Sequence, residues 1–460
     1  MCNDRLREQT SERRREALVF WLCVALIALG FALRLYYNYL TPYNVSKHDL
    51  GYATGLHSGY IGSGHLGYIE HLARTGALPD FDPSTRWSFY NPPLFHILAS
   101  VILGLFHFPG EGIDTGAWEL VQLLPAVAIL FAVIGTYRLL RALGVGGVPL
   151  LCGVAIVSFH PALSYLSLTL NNDALAFALT VWAAYCAVRW FCAPKMSSIL
   201  ALAACIGLGM MTKLSVALIA PPVAILFAVR FFGDKKWGFY LGQFAAFLGV
   251  CVPLGLFWGV RNYFRFGLSP LYVQALPEGS AQNISGYPIA ERFGFPSLAE
   301  LFRVDSSWSL PSPDRNIWGQ TLRTSLFDDN MLSWESVDEV WGKLLMLLSV
   351  LLAGVLLLTL AWGLLRCKRY AIPLRVFFAC FFLLTVAYFV KFCIDFPMTC
   401  TLHFRYLLPL LLLAAVGLGA WWESTKKGVA AKILLSLIGV LIVAASVLSA
   451  VLYALCLPIA

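Results

Sequence analysis

The chain has 460 residues, of which 59% are hydrophobic and only 13% are charged, whereas soluble domains run at about 45–50% apolar and about 25% charged. So few charges exclude a string of soluble domains, a disordered chain and a disulfide-rich secreted scaffold, while the apolar residues suffice for ten or more spans of about 20 residues each. The formal charge of +8 is assigned to cytoplasmic loops and not to a nucleic-acid-binding face.

Residues 1–16 read as a cytoplasmic tail. Arg13, Arg14 and Arg15 lead into an apolar run from Ala17 to Tyr37 that no small-residue cleavage site follows, so the run is a retained anchor with its N-terminus in the cytoplasm. Further apolar runs lie near 118–142, 147–168, 173–192, 197–212, 213–231, 238–260, 338–365, 371–392, 405–422 and 433–456. The prediction is an all-α polytopic membrane protein with about 11 transmembrane helices. Alternating these spans from an inside N-terminus keeps every basic cluster inside, from Arg138 and Arg141 through to Lys426, Lys427 and Lys432. The run from Pro92 to Phe108 breaks that agreement if it crosses. It has only 17 residues and opens with Pro92-Pro93, so it reads as a half-inserted or surface helix.

Two large outer segments result, 38–117 and 262–337. The stretch 262–340 holds ten acids, five arginines and no lysine, which suits a non-cytoplasmic loop. In the first segment Ile61, Leu66, Tyr68, Ile69 and Leu72 share one face of a helix lying in the membrane interface. The 12 cysteines sit mostly inside spans without a C-x-x-C pattern and read as small buried apolar residues. Cys393 and Cys400, near the outer face, leave a disulfide open.

Ionisable groups within a bilayer are costly, so their positions carry information. Four sites gather at the outer boundary of the spans. In Lys47-His48-Asp49-Leu50-Gly51, Asp49 reads either as a helix N-cap or as a general base that takes a proton from an attacking hydroxyl. On the interfacial helix His65 is either an amphipathic surface residue or part of a substrate pocket. Asn171-Asn172-Asp173 stands in a tight turn, as capping residues or as groups that orient a ligand's hydroxyls. The fourth site is basic: Lys213, Arg261, Arg265 and Arg405 come from non-adjacent spans. Bases at span ends often reach out to headgroups. Several on the outer face are better explained by a buried anion, and a phosphate fits guanidinium forks. Carboxylates and cations at one depth suit chemistry on a lipid-linked phosphate, in which a base activates the acceptor and positive charge stabilises the departing group.

Asp49, the string Gly64-His65-Leu66-Gly67-Tyr68-Ile69 leading to Gly76-Ala77-Leu78-Pro79, the run Phe89-Tyr90-Asn91-Pro92-Pro93-Leu94-Phe95-His96, and Asn171-Asn172-Asp173 resemble the membrane-embedded GT-C glycosyltransferases. The similar branch is the family-39-like one that contains protein O-mannosyltransferases and the aminoarabinose transferase of lipid A. Phe404-Arg405-Tyr406-Leu407-Leu408-Pro409 is also similar to prokaryotic motifs. The resemblance implies one GT-C-like domain over 17–460 with outer juxtamembrane helices, a polyprenyl-phosphate sugar donor, and transfer on the extracytoplasmic face to a protein, lipid or envelope-glycan hydroxyl. It makes Asp49 the catalytic base and Asp173 a second acidic site residue. Lys213, Arg261 and Arg405 become phosphate-side candidates, and His48, His65, Tyr90, Asn91 and Asn172 line the substrate pocket. Two positions depart from the pattern. Tyr90-Asn91 stands where relatives carry His or Glu-Lys before the proline pair, and Leu50 replaces the acid that often follows the catalytic Asp. No obligatory metal is expected, with a divalent ion left open. A lipid or solute transporter, or a non-catalytic partner in envelope assembly, is the rival reading; neither an internal repeat nor midplane charge supports the transporter.

Overall fold

The computed structural model describes residues 2–43, 62–105, 115–276, 279–280, 282–302, 315–328 and 339–456. His48 and Asp49 lie outside the described residues. In chain order the helices are α1 (Cys2–Leu40), α2 (Gly64–Thr75), α3 (Leu94–Gly104), α4 (Thr115–Ala142), α5 (Gly147–Phe159), α6 (Pro161–Leu166), α7 (Asp173–Cys192), α8 (Met196–Met210) and α9 (Ala220–Asp234). They continue as α10 (Trp237–Phe266), α11 (Ile289–Phe293), α12 (Leu298–Leu301), α13 (Ile317–Phe327), α14 (Glu339–Arg366), α15 (Ile372–Asp395), α16 (Pro409–Ser424) and α17 (Val429–Cys456). Among the described residues no strand forms, and one isolated bridge joins Asn283 to Met398.

Among the described residues, nine helices are long and apolar enough, by length and composition, to cross a membrane. The other two expected spans are the shorter apolar helices α5 and α8, so the predicted layout of about eleven stands. At 1.5 Å per residue, α3 is only about 16 Å long against a hydrocarbon core of about 30 Å. It does not cross. Its apolar face packs on α2 through Leu66, Ile69, Phe95, Ala99 and Leu103, which makes the two juxtamembrane helices one layer over the bundle.

Helix α7 is the hub, packed between α4 and α8, and 72% of its apolar window is buried. By contrast α1, α10, α14 and α17 leave most of their apolar side chains to the lipid. Helices α14 and α16 touch backbone to backbone because glycines face each other. A Cβ on Gly417 would stand 2.6 Å from Leu360 Cα, and one on Gly363 would stand 2.6 Å from Trp421 N. Small residues permit this approach, which lipid alone does not drive. Cys393 Sγ faces the Thr401 carbonyl and is not bonded to Cys400. The disulfide left open between them does not form.

Several buried polar groups satisfy backbone carbonyls and thereby fix the end of the bundle where α7 begins. Arg34, 2% exposed on α1, donates to the carbonyls of Gly30, Ser158 and Leu163. Gln122 of α4 donates to Thr41 O at 3.2 Å and Leu168 O at 2.8 Å. The segment after α1 is thus tied beside the turn that begins α7.

Candidate functional site

Three distant stretches of sequence meet at the N-terminal end of α7. The Leu94 amide donates to the Met211 carbonyl at 2.9 Å. Asn172 Nδ2 donates to the Thr212 carbonyl at 2.8 Å and reaches Asn91 Oδ1 at 3.4 Å. Lys213 Nζ then closes on the Asp173 carboxylate in an ion pair. The turn 211–213 is short because α8 ends at Met210 and a 3-10 stretch, Leu214–Ile219, runs straight into the Pro221-Pro222 start of α9. That geometry leaves Lys213 nowhere to extend except back toward α7.

Asp173 occupies the first turn of α7, where the helix dipole favours a carboxylate, and is 4% exposed. Its amide donates to Asn171 Oδ1 at 3.0 Å. Asn91, at the position where the sequence departs from the resembled motif, is built into this junction. Its Nδ2 donates to the Ser88 carbonyl while its oxygen faces Asn172. Tyr90 contributes its carbonyl, which accepts from Trp258 Nε1 at 2.9 Å.

Arg405 approaches from the opposite side and is 9% exposed. Tyr406 lies between the two bases, with Lys213 Nζ 4.7 Å from its ring centroid, Arg405 Cζ 5.1 Å from it, and Arg405 Nη2 donating to its hydroxyl at 3.1 Å. Asp173, Lys213, Arg405 and Tyr406 line one narrow cleft that continues between Thr180, Ser215 and Thr385. Two cations and one carboxylate converge there at the edge of an apolar bundle. Such a charge set suits an anion.

Arg405 is held by a device that sequence reasoning missed. Helix α13, drawn from the second outer segment, is almost wholly buried. Its Thr321 hydroxyl donates to the Leu402 carbonyl, and Thr324 Oγ1 accepts from the Phe404 amide, each at 3.0 Å. At its end Asp328 turns with φ at 60°. The Asp328 carboxylate meets His403 Nε2 at 3.0 Å, with both side chains 1% exposed. His403 Nδ1 accepts from the Arg405 amide at 3.0 Å. An amide can only donate, so Nδ1 carries the lone pair and Nε2 carries the proton given to Asp328. The only advance signal was the His403 and Arg405 spacing, since Asp328 lies 75 positions away in a run that reads as a solvated acidic loop.

The remaining predicted residues fall elsewhere. Arg261 stacks on Trp258 at 4.9 Å and spends its donors on the Asn262 side chain and the Pro79 carbonyl. It ties the 76–90 segment to α10 and does not line the Lys213–Arg405 cleft. His65 is not a surface residue: it is 3% exposed, with Nδ1 2.8 Å from His96 Nε2 and the two rings stacked. Burial first, and the neighbouring His65 second, push His96 well below the usual imidazole range. Among the described residues no cluster of three or more His, Cys, Asp or Glu side chains could hold a metal ion.

Comparison with known proteins places this arrangement. The family described as dolichyl-phosphate-mannose-protein mannosyltransferase has a model that matches residues 91–258, the stretch that contains Asn91, Asp173 and Lys213. The crystal structure of ArnT from Cupriavidus metallidurans in the apo state is similar with a TM-score of 0.51 at 15% identity, over 93% of this chain and 64% of that one. The chain has the GT-C fold. The same ArnT bound to undecaprenyl phosphate gives a TM-score of 0.49 at 16% identity, over 92% and 63% of the two chains. The chain therefore spans about 64% of the length of the ArnT it matches. No curated protein matches it in sequence. Within the GT-C fold, the cleft lies where the juxtamembrane layer α2–α3 meets the start of α7.

Proposed function

We propose that the protein is a glycosyltransferase that moves a sugar from a polyprenyl-phosphate donor to an acceptor hydroxyl on the extracytoplasmic membrane face. The observation that carries this reading is the convergence of Lys213 and Arg405 on Tyr406 beside buried Asp173. A lipid-linked phosphate matches a cationic cleft at the edge of the bilayer, and the name of the matching family speaks of a dolichyl-phosphate sugar.

In this mechanism the acceptor oxygen attacks the anomeric carbon as the bond from that carbon to the phosphate oxygen breaks. The bonding electrons leave with polyprenyl phosphate, where Lys213 and Arg405 stabilise the developing charge. Asp49 takes the acceptor's proton. Asp173 holds Lys213 in place, Asn91 and Asn172 brace the turn beside it, and His48 is kept as a pocket candidate. The positive charge that the leaving group needs comes from side chains, so the mechanism requires no obligatory metal.

The test is transfer by purified protein supplied with a panel of polyprenyl-phosphate sugars. Release of polyprenyl phosphate by the wild type, abolished in a folded Asp49→Asn variant, is the expected outcome. Full activity in that variant removes Asp49 from the mechanism.

A further inference from the structure

A second charged cavity lies at the opposite end of the bundle, about 40 Å along α1 from the outer end. It has a volume of about 910 Å³ and sits between the start of α1, the α4–α5 turn and the α16–α17 turn. Arg13, Arg15, Arg141, Lys427 and Lys432 line it against Glu12, Glu16 and Glu423. Glu423 is already neutralised, by Arg369 at 2.8 Å and Lys427 at 3.5 Å. Arg13, Arg15, Arg141 and Lys432 form no ion pair among the described residues, although three separate parts of the chain bring them to one hollow.

Its other wall is apolar. Val19, Phe20 and Leu435 line it, and it adjoins lipid-facing side chains of α1 and α17, with Trp21 65% and Ile433 56% exposed. A hollow that is cationic on one side and open to hydrocarbon on the other fits an amphiphile whose head is an anion. Basic pockets between transmembrane helices are known to take acidic lipid headgroups. The volume far exceeds a bare phosphate and falls in the range of pockets that hold whole small ligands. The unpaired bases supply charge-assisted bonds to phosphate oxygens. The α5 N-terminus at Gly147 opens onto the same cavity with no side-chain cap and adds its dipole to theirs.

We propose that this cavity is a binding site for the headgroup of an anionic phospholipid, separate from the Lys213–Arg405 cleft. The lipid bridges α1 to the α4–α5 and α16–α17 turns by its phosphate, with its chains lying against α1 and α17. The assignment does not depend on the glycosyltransferase reading.

The experiment measures lipid binding by the full chain in detergent, using native mass spectrometry with phosphatidylglycerol and phosphatidylcholine as probes. The wild type is expected to retain phosphatidylglycerol preferentially. Each base near a membrane surface is worth about fivefold in affinity for acidic lipid, so Arg15→Gln/Arg141→Gln/Lys432→Gln should weaken it by about 100-fold. Removal of three bases remote from this cavity, Arg74→Gln/Arg315→Gln/Lys391→Gln, should leave it within about threefold. Thermal unfolding without added lipid shows whether each variant is folded. Should the Arg15 variant misfold, Lys432→Gln alone supplies the test, with about a fivefold loss. Equal phosphatidylglycerol affinity in the folded cavity variants and the wild type overturns the proposal. So does displacement of the lipid by millimolar inorganic phosphate, which would identify a soluble anion site.

Discussion

Asp328 is the residue whose replacement reports most about how the cleft is organised. In Asp328→Asn the side chain still offers an oxygen to His403 Nε2, and the backbone keeps the φ of 60° that already carries a Cβ in the wild type. Only the charge assistance is lost, about 1 kcal/mol, the difference between charged and neutral hydrogen bonds. In Asp328→Ala the His403 N–H is left buried without its acceptor, costing about 1–3 kcal/mol. The predicted order of stability is wild type, Asn, then Ala, read by thermal unfolding in detergent. Turnover should follow through Arg405, because His403 fixes the Arg405 amide. Removing one preorganised charge-stabilising donor costs about 10²–10³ in kcat, and Asp328→Asn should forfeit part of that. In an Arg405→Gln background the same substitution should add less than about twofold, since coupled residues are not additive. An equal loss in both backgrounds would refute the positioning role and leave Asp328 a purely structural residue.

Other outcomes follow from the same geometry. Lys213→Gln removes the partner of buried Asp173 and one phosphate-side charge, so kcat should fall by about 10²–10³, measured on released polyprenyl phosphate. His96 is buried and held neutral in the folded protein, so the unfolded chain binds more protons at low pH. The stability from this group is complete above about pH 6.5 and is lost as pH falls below it; thermal unfolding should show that slope, and His96→Gln should flatten it. Gly417→Val pushes a side chain into Leu360 at the α14–α16 contact and should destabilise by at least about 1–3 kcal/mol, seen as a lowered unfolding temperature. Chelation with EDTA should leave turnover within about twofold if side chains alone supply the positive charge.

Hydropathy and basic clusters made the bundle legible in the sequence, because lipid demands long apolar helices and the loops carry the charge. The shortness of α3 was legible for the same reason, from Pro92-Pro93 at the start of a run of only 17 residues. The grouping of Asp173, Lys213 and Arg405 was visible as a shared depth in the membrane, since unpaired charge there is costly. What depth cannot reveal is lateral position. Arg261 shares the level of Lys213 yet spends its donors on Pro79 and Asn262. His65 faced inward, not outward, because its partner His96 sits on a different helix whose packing no single-helix periodicity encodes. The Asp328–His403 couple depends on α13 folding back onto the 402–405 turn, a contact between segments 75 residues apart.

The central claim is that the cleft of Lys213 and Arg405 receives the phosphate of a lipid-linked sugar. Its most direct test is release of polyprenyl phosphate from a labelled polyprenyl-phosphate sugar by the purified full chain and by Lys213→Gln/Arg405→Gln. Wild-type release that falls at least about 100-fold in a folded double variant is the predicted result. Release by the double variant at the wild-type rate would contradict it.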